Sequence, residues 1–321
     1  AGATGVVAVA LDGQYTGGAS ITPGVDGKND GQIILGNSSV GLYGKNNARF
    51  ENTNIITVGD DSAGIYTDGA LASIKNTGTI TIGNNSQGMY LKNGDTINNG
   101  GSIISSGINN VGIFADNVSN PLVNSGLIDL SGDKSVGIYK TGAVNSISNS
   151  GTVKIGASSD LNDPGIGIYS NTAGDTITNT GTIEAGKNSI RRTAEGAAVK
   201  QNNILKTGES GTGIYTKGGT VTLGAASYTE VGSNESVGIY GTNGTHITNS
   251  STNTTVIGAG AYGFILETGS VLDNYGLLSL NGKGTAVYSA GANTVNNYAG
   301  ADINMSGDSN IGIFMVSGGT A

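Results

Sequence analysis

Apolar residues recur along the chain in short alternating words and show no helical period. The clearest word is Gly, an aliphatic or Met residue and Tyr, as in "SAGIYT" at 62–67, "SQGMYL" at 86–91 and "SVGIYK" at 135–140. No window places apolar residues every three or four positions, as an amphipathic helix requires. Alternation over a few residues instead predicts short, half-buried β-strands.

This Gly-containing word returns at a nearly fixed interval. Its glycine most often stands 23 to 26 residues after the previous one, and such a period is typical of a solenoid. Two further words follow in each repeat, such as "SIKN" at 73–76 and "TIT" at 79–81. Three strands per repeat, separated by Gly, Asn and Asp turns, predict an all-β fold. We expect a right-handed parallel β-helix of roughly twelve coils of about 24 residues, a single solenoid over 1–321. An N-terminal loop at 22–31 is expected to be either an irregular early coil or an N-terminal cap.

Aligning the repeats gives columns with predicted roles. The residue after the glycine is apolar throughout and is expected to point into the core. The Asn that ends the second word is expected to hydrogen-bond neighbouring coils. The aromatic residue of the first word is expected to stack on its equivalents at a corner, with a sugar-stacking surface as the alternative. This alignment puts Ala197 and Ala286 in the glycine column, Ala198 in the apolar column and Val199 in the aromatic column.

Composition excludes several function classes. The 321 residues include 57 Gly, one His and no Cys, and the net charge is −8. A disulfide framework or thiolate metal site is therefore impossible, and without a clustered positive field we expect no nucleic-acid partner. The acidic residues are scattered among turn words, and His246 stands in such a word as a solvated residue. We therefore expect no catalytic site, no metal and no cofactor.

Two repeats are longer than the others. From the glycine that closes the third word to the next repeat glycine there are usually five residues. There are eleven from Gly156 to Gly167 and eleven from Gly186 to Ala197. Both excesses fall at the same corner, so we expect two stacked insertions above a shortened coil, an irregular region at 157–212. Loops added to a solenoid are its default binding sites.

Six charged residues of this region are predicted to bind a partner. They are Arg191, Arg192, Asp160, Asp163, Lys187 and Glu195. The arginine pair, the only one in the chain, is suited to bidentate contacts with carboxylate, sialic acid or phosphate groups. The alternative is a set of salt-bridged loops that bind nothing.

Two stretches carry a resemblance to a known family. "NTGTITIGNNSQGMYLKNG" (76–94) and "NSGTVKIG" (149–156) resemble the passenger domains of type V autotransporters, most closely the large fusobacterial outer-membrane adhesins of the RadD kind. The resemblance implies a segment of a larger extracellular passenger, delivered through a C-terminal β-barrel that this segment lacks. It implies cell-surface location and attachment, without enzyme activity, to host-cell or bacterial proteins or glycans; we expect a monomeric rod. The alternative is a glycan-binding or glycan-degrading β-helix of the pectin-lyase-like type.

Overall fold

The computed structural model describes residues 7–12, 26–160, 162–250, 254–316 and 318–321. Within those ranges it contains 37 β-strands and no helix, and hence none that could span a membrane. The chain divides into two compact units, 1–156 and 157–321, and each is a parallel β-solenoid. Over both units the coils number about twelve and lie about 24 residues apart, which confirms the predicted fold class. A single solenoid continuous over 1–321 stays a prediction.

The first unit contains eighteen described strands, three per coil. In chain order they are β1 (Val7–Asp12), β2 (Gly27–Asn29), β3 (Gln32–Ile34), β4 (Val40–Lys45), β5 (Arg49–Asn52), β6 (Ile55–Thr57), β7 (Ala63–Asp68), β8 (Ser73–Asn76), β9 (Thr79–Thr81), β10 (Gln87–Lys92), β11 (Thr96–Asn99), β12 (Ser102–Ser105), β13 (Val111–Asp116), β14 (Leu122–Asn124), β15 (Leu127–Leu130), β16 (Val136–Thr141), β17 (Ser146–Asn149) and β18 (Thr152–Ile155).

The second unit contains nineteen described strands. They are β19 (Ile166–Ser170), β20 (Thr176–Asn179), β21 (Thr182–Ala185), β22 (Ile190–Glu195), β23 (Ala198–Gln201), β24 (Ile204–Lys206), β25 (Thr212–Lys217), β26 (Thr220–Leu223), β27 (Tyr228–Val231), β28 (Val237–Thr242), β29 (His246–Asn249), β30 (Thr254–Ile257), β31 (Tyr262–Glu267), β32 (Val271–Asn274), β33 (Leu277–Asn281), β34 (Thr285–Ala290), β35 (Thr294–Asn297), β36 (Asp302–Ser306) and β37 (Ile311–Val316).

Equivalent strands of successive coils pair in parallel, so each unit has three sheets. In the first unit the first sheet is β1-β4-β7-β10-β13-β16, the second β2-β5-β8-β11-β14-β17 and the third β3-β6-β9-β12-β15-β18. In the second unit the first sheet is β19-β22-β25-β28-β31-β34-β37 and the second β20-β23-β26-β29-β32-β35. The third sheet of the second unit is β24-β27-β30-β33-β36, and β21 does not pair with β24.

The apolar column of the first sheet lies in the core as predicted. Ile65, Met89 and Ile113 are neighbours in the ladder of β7, β10 and β13, and all three side chains are fully buried. A fully buried aliphatic side chain contributes roughly 1.5–3 kcal/mol. This column therefore stabilises every regular coil.

The glycine before each of these residues lies where no side chain fits. A Cβ at Gly64 would be 2.6 Å from the carbonyl oxygen of Gly88 in the next coil and 2.5 Å from Ile80 Cγ2. The glycine and the apolar residue after it are both buried, whereas the aromatic residue that follows is partly exposed. Two consecutive buried positions break strict alternation, so the strand bends at the glycine. Alternation resumes at the apolar residue, and the aromatic ring after it therefore points outward.

The asparagines that end the second strands form the predicted ladder. From Asn29 through Asn124 in the first unit, each Nδ2 donates to the Oδ1 of the Asn one coil later at 2.7–2.8 Å, and Asn149 is the last of these acceptors. The same nitrogen donates to a backbone carbonyl two residues on, as from Asn52 to Asn54 at 3.0 Å. Because these side chains are buried, the ladder satisfies polar groups that the tight bend would leave unpaired.

The segment predicted as an N-terminal loop at 22–31 forms a strand for part of its length, which favours the early coil over the cap. Residues 22–25 lie outside the described residues, but Gly27–Asn29 forms β2 and pairs in parallel with β5. Asn29 also enters the asparagine ladder. Backbone pairing with the next coil therefore makes this segment a strand of the second sheet.

Candidate functional site

The largest departure from the repeat lies in β22, β23 and β24, residues 190–206, which we call the arginine coil. In the first sheet Arg192 pairs with Ile168 on one side and Ile214 on the other, so it occupies the apolar column. Arg191 therefore occupies the glycine column. The alignment that put Ala197, Ala198 and Val199 in the three columns is wrong, because backbone pairing places β22 in the ladder and Ala198 at the start of a second-sheet strand.

The corrected register removes one of the two predicted insertions. With Arg191 in the glycine position, the interval from Gly186 is the usual five residues, and Gly213 follows after 22 residues. The second insertion and the shortened coil are therefore wrong predictions. The sequence "GAAVK" at 196–200 imitates a repeat word, whereas a core position held by Arg has no counterpart in the other repeats.

The remaining insertion, between Gly156 and Gly167, folds against the arginine coil. The Ser158 hydroxyl donates to the carbonyls of Asp160 and Asp163 at 3.0 and 2.9 Å, which closes the loop on itself. The Ser158 N–H donates to the Lys187 carbonyl at 2.9 Å. The loop and the Lys187 turn thus form one surface in the second unit.

Of the predicted residues, Asp160, Asp163 and Lys187 lie at that surface, whereas Glu195 does not. Glu195 lies at the opposite end of β22, where its carboxylate accepts a hydrogen bond from the Tyr169 hydroxyl at 2.9 Å. Lys187 is exposed and lies 3.6 Å from Glu209. Partner binding by Asp160, Asp163, Lys187 and Glu195 stays a prediction.

Both arginines are buried, so the prediction that they stand on an exposed loop is wrong. Arg191 is 5% exposed and Arg192 is fully buried. Arg192 Nη2 donates to the side-chain oxygen of Gln201, which replaces Asn at the end of the second strand. Arg192 Nε and Nη1 and Arg191 Nη1 have no partner. Three unpartnered buried donors are costly.

Burial lowers the pKa of both guanidinium groups. The pKa of Arg191 falls to about 10 through loss of solvation, although the Glu184 carboxylate acts in the opposite direction. The pKa of Arg192 falls to about 9, through burial first and the neighbouring charge of Arg191 second. Both groups therefore remain charged at neutral pH.

A ladder of aromatic rings follows the outer face of the first sheet in the first unit. Successive centroids are 5.4, 5.0, 4.5 and 5.0 Å apart, and the rings alternate between stacked and edge-to-face contacts. The members are Tyr43, Tyr66, Tyr90, Phe114 and Tyr139. Stacking is confirmed, but the corner position is wrong, because each ring lies within a strand, between two inward-facing residues, and alternation places it on the partly exposed strand face.

Rows of carboxylate and amide side chains border this aromatic ladder on both sides. In each row a side-chain amide donates to the side-chain oxygen one coil earlier at 3.0–3.1 Å. One row is Asp61, Asn85 and Asn109, and the other is Asp68, Asn93 and Asn117. All but Asp68 have positive φ, between 49° and 57°, a conformation that Asn and Asp tolerate better than most residues. Turn geometry therefore fixes these polar groups beside the rings.

An open cavity of about 560 Å³ lies along the first three rings. Its lining combines Tyr43, Tyr66 and Tyr90 with Lys45, Asp61, Asp68 and Gln87. Burial raises the pKa of Tyr66 and Tyr90, with further contributions from Asp68 and Asp116, so both hydroxyls remain protonated donors at neutral pH. The surface offers aromatic rings together with hydroxyl, amide and carboxylate groups.

A smaller polar group lies on the second sheet of the second unit. His246 begins β29, and its Nε2 is 2.6 Å from Asp273 Oδ2. Burial raises the pKa of Asp273, but hydrogen bonds from Asn296, His246 and Tyr298 outweigh it and lower the pKa overall. Tyr298 stacks on Tyr275 at 4.3 Å. Across the described parts of the chain, no three His, Asp or Glu side chains are grouped as metal ligands would be.

The fold and its surface define a repeat protein, a parallel β-solenoid with an outward-facing aromatic ladder. Comparison with protein-family models, curated protein sequences and solved structures finds no match. The relation to type V autotransporter passengers therefore stays a prediction from the sequence.

Proposed function

We propose that this protein is a non-enzymatic segment of a cell-surface adhesin, and that the aromatic ladder of its first unit binds glycan chains. The observation that carries the proposal is the cavity along Tyr43, Tyr66 and Tyr90. Sugar rings have apolar C–H faces that pack on aromatic side chains and hydroxyls that bond amides and carboxylates. A largely preformed surface with a few placed polar groups is what small-ligand recognition requires.

The charge of the cavity favours neutral glycans. Asp61 and Asp68 contribute two carboxylates against the single ammonium of Lys45. An acidic sugar laid along the rings would meet these like charges, whereas the hydroxyls of a neutral sugar can donate to them. The repetition of the ladder also favours binding of linear glycans. A linear glycan along the ladder contacts similar groups in each coil, and its affinity is increased by many weak contacts.

The surface location and the attachment role rest on the resemblance to autotransporter passengers. A β-solenoid scaffold suits that role, since each coil is held by its neighbours and presents the same face repeatedly. The glycan-degrading alternative would use His246 and Asp273, which lie beside the stacked Tyr275 and Tyr298. Release of reducing ends from a glycan by the parent protein, lost in Asp273→Asn, would favour that alternative.

A glycan array followed by calorimetric titration tests the proposal. The parent should bind neutral glycans, and Tyr66→Ala with Tyr90→Ala should weaken binding of the best glycan at least tenfold, through lost stacking. Tyr66→Phe should retain most of the affinity, because it keeps the ring. Tyr215→Ala is the matched control, since it makes the same change in an aromatic pair of the second unit. Equal binding by the parent and the double variant would contradict the proposal.

A further inference from the structure

The third sheet of the second unit is interrupted at the arginine coil. β21 and β24 belong to successive coils but do not pair, and the ladder resumes between β24 and β27. The third-sheet strand that packs against the glycine position of the first sheet also differs on the two sides of this gap. A Cβ at Gly167 would meet Ile183, on the third-sheet strand that follows it, whereas one at Gly238 would meet Val231, on the strand that precedes it.

Arg191 accounts for the gap. At the equivalent positions before and after it, a Cβ on Gly167 or Gly213 would lie within 2.5 Å of a carbonyl oxygen. Ala286 is buried in the same column of a coil that pairs normally, so a closed coil admits a methyl group here but has no room for a side chain as long as that of Arg. Arg191 Nε donates to the carbonyl of Ile183 on β21 at 3.0 Å. An oxygen at the unpaired edge of β21 therefore accepts from a guanidinium, and the Arg191 side chain lies at the opening between β21 and β24.

A cavity of about 220 Å³ lies at this opening. It is lined by Thr182, Ile183, Glu184, Arg191, Asn203 and Lys206. Arg191 is its buried cationic wall, and the Nη1 of this side chain has no partner. The Asn203 amide donates to the carbonyls of Thr180 and Gly181 at 3.0 and 2.9 Å, which fixes one side of the cavity.

The charges around the cavity are unequal. Arg191 and Arg192 contribute two buried positive charges, and the partner of Arg192 is the neutral amide of Gln201. Lys206, on the rim, is paired with Glu230 at 2.8 Å. Glu184 supplies the carboxylate that lines the cavity. One positive charge is thus left without a counter-charge in a poorly solvated place, where it is costly.

We propose that this cavity binds a small oxyanion, which is a carboxylate, sulfate or phosphate group. The oxygens of the anion accept hydrogen bonds from the guanidinium of Arg191, whose planar fork matches such groups. Thr182 and Lys206 lie at the rim and offer further donors. Arg192 contributes its charge from inside the coil. This site is independent of the aromatic ladder, because it lies in the other unit and selects anions, whereas the ladder favours neutral sugars.

The repeat itself supplies variants that should fold. Arg191→Gly restores the glycine that other coils carry, and Arg192→Ile restores the apolar column. Circular dichroism should show both variants folded as β-proteins. Loss of binding in Arg191→Gly then reports the site and not the fold.

The test is calorimetric titration of the full chain with sodium phosphate, sodium sulfate, sodium acetate and N-acetylneuraminic acid, at ionic strength held constant with chloride. The parent should bind at least one probe saturably, and its Tm should rise with that probe. Arg191→Gly should lose at least tenfold in affinity and show no such rise, whereas Arg192→Ile should lose less.

The relative affinities of the probes identify the ligand class. A preference for the sugar acid over acetate would assign the ligand to glycan carboxylates, and a preference for phosphate or sulfate would assign it to those groups. No saturable binding by the parent, or equal binding by Arg191→Gly, would overturn the proposal.

Discussion

A regular coil and the arginine coil place different residues at the same positions of the repeat. The regular coil of β10, β11 and β12 carries Gly88, Met89 and Asn99, and all are buried. The arginine coil has Arg191, Arg192 and Gln201 at these positions. In both coils the first and second sheets pair normally, and among the described strands the third sheet is broken only beside the arginines. Backbone pairing therefore sets the register, and the third sheet adapts to the side chains.

The two coils also differ in how their buried polar groups are satisfied. Asn99 accepts from Asn76 and donates to Asn124, both at 2.8 Å. The arginine pair leaves three buried nitrogens without partners. The regular coil therefore contributes stability, whereas the arginine coil gives up stability for a cationic cavity, as sites selected for binding often do.

Deletions should show most strongly that the arginine coil belongs to the ladder. Removing residues 187–195 takes β22 from between β19 and β25, so we expect the second unit to lose its cooperative thermal transition. Removing residues 157–163 spares every strand and should leave the transition within a few degrees of the parent. Thermal melts followed by circular dichroism measure both. A 187–195 deletion that melts like the parent would mean that this segment is a surface loop.

Breaking the asparagine ladder should be the next largest effect. Asn76→Ala leaves a buried Asn on each side without its partner, and we expect a loss of about 3 kcal/mol in the free energy of unfolding. Asn54→Ala removes an exposed side chain and should cost less than about 0.5 kcal/mol. Urea denaturation of the parent and both variants measures the difference. Equal losses would show that the buried ladder is not a special source of stability.

Repairing the arginine coil should stabilise the protein. The double variant Arg192→Ile with Gln201→Asn restores the apolar column and removes a buried charge. We expect a gain of about 2 kcal/mol, since hydrophobic replacement of buried charged groups is commonly stabilising by 1–4 kcal/mol. Urea denaturation of the parent and the double variant measures this gain. A clear loss of stability would mean that the buried guanidinium contributes more than it costs.

In the alkaline range, the free energy of unfolding of the parent should have a pH dependence that Arg192→Ile lacks. Burial lowers the pKa of Arg192 to about 9 in the folded chain, well below the pKa of this group in the unfolded chain, so the unfolded chain binds more protons above about pH 9. Deprotonation of Arg192 therefore raises the free energy of unfolding as the pH increases, by about 1 kcal/mol between pH 8 and 10. The difference between parent and variant isolates this group from the tyrosines. A difference that stays constant with pH would show an unperturbed guanidinium.

The sequence predicts the features that recur in every regular coil. It does not predict the features that depart from the repeat. Met89 and Asn76 were predicted correctly because every regular coil has the same residue class at those positions. The outward direction of Tyr90 follows from strand alternation after the buried Met89, whereas the bend that also buries Gly88 is not revealed by alternation. Ser62 and Ser86 form a second buried ladder, with the N–H of Ser62 donating to Ser86 Oγ at 3.0 Å, but serine is too common in turns to indicate it.

The prediction that Arg191 and Arg192 lie in a loop is wrong for a physical reason. A charged residue in a core column costs several kcal/mol unless the structure adapts, so pattern alone favoured placing Arg191 and Arg192 in a loop. The break between β21 and β24 provides that adaptation. Nothing in the local sequence of β21 or β24 indicates that these strands do not pair.

Hydrogen exchange tests the central claim, that the arginine coil is a full coil with an opening between β21 and β24. Amides that donate across the regular third-sheet pairs β9-β12 and β12-β15 should be strongly protected. The amides of β24 that point toward β21, and not those that donate to β27, should exchange at least tenfold faster in the parent, and Arg191→Gly with Arg192→Ile should slow them toward the regular coils. Equal protection of β24 and β12 in the parent, unchanged by the two substitutions, would contradict the account.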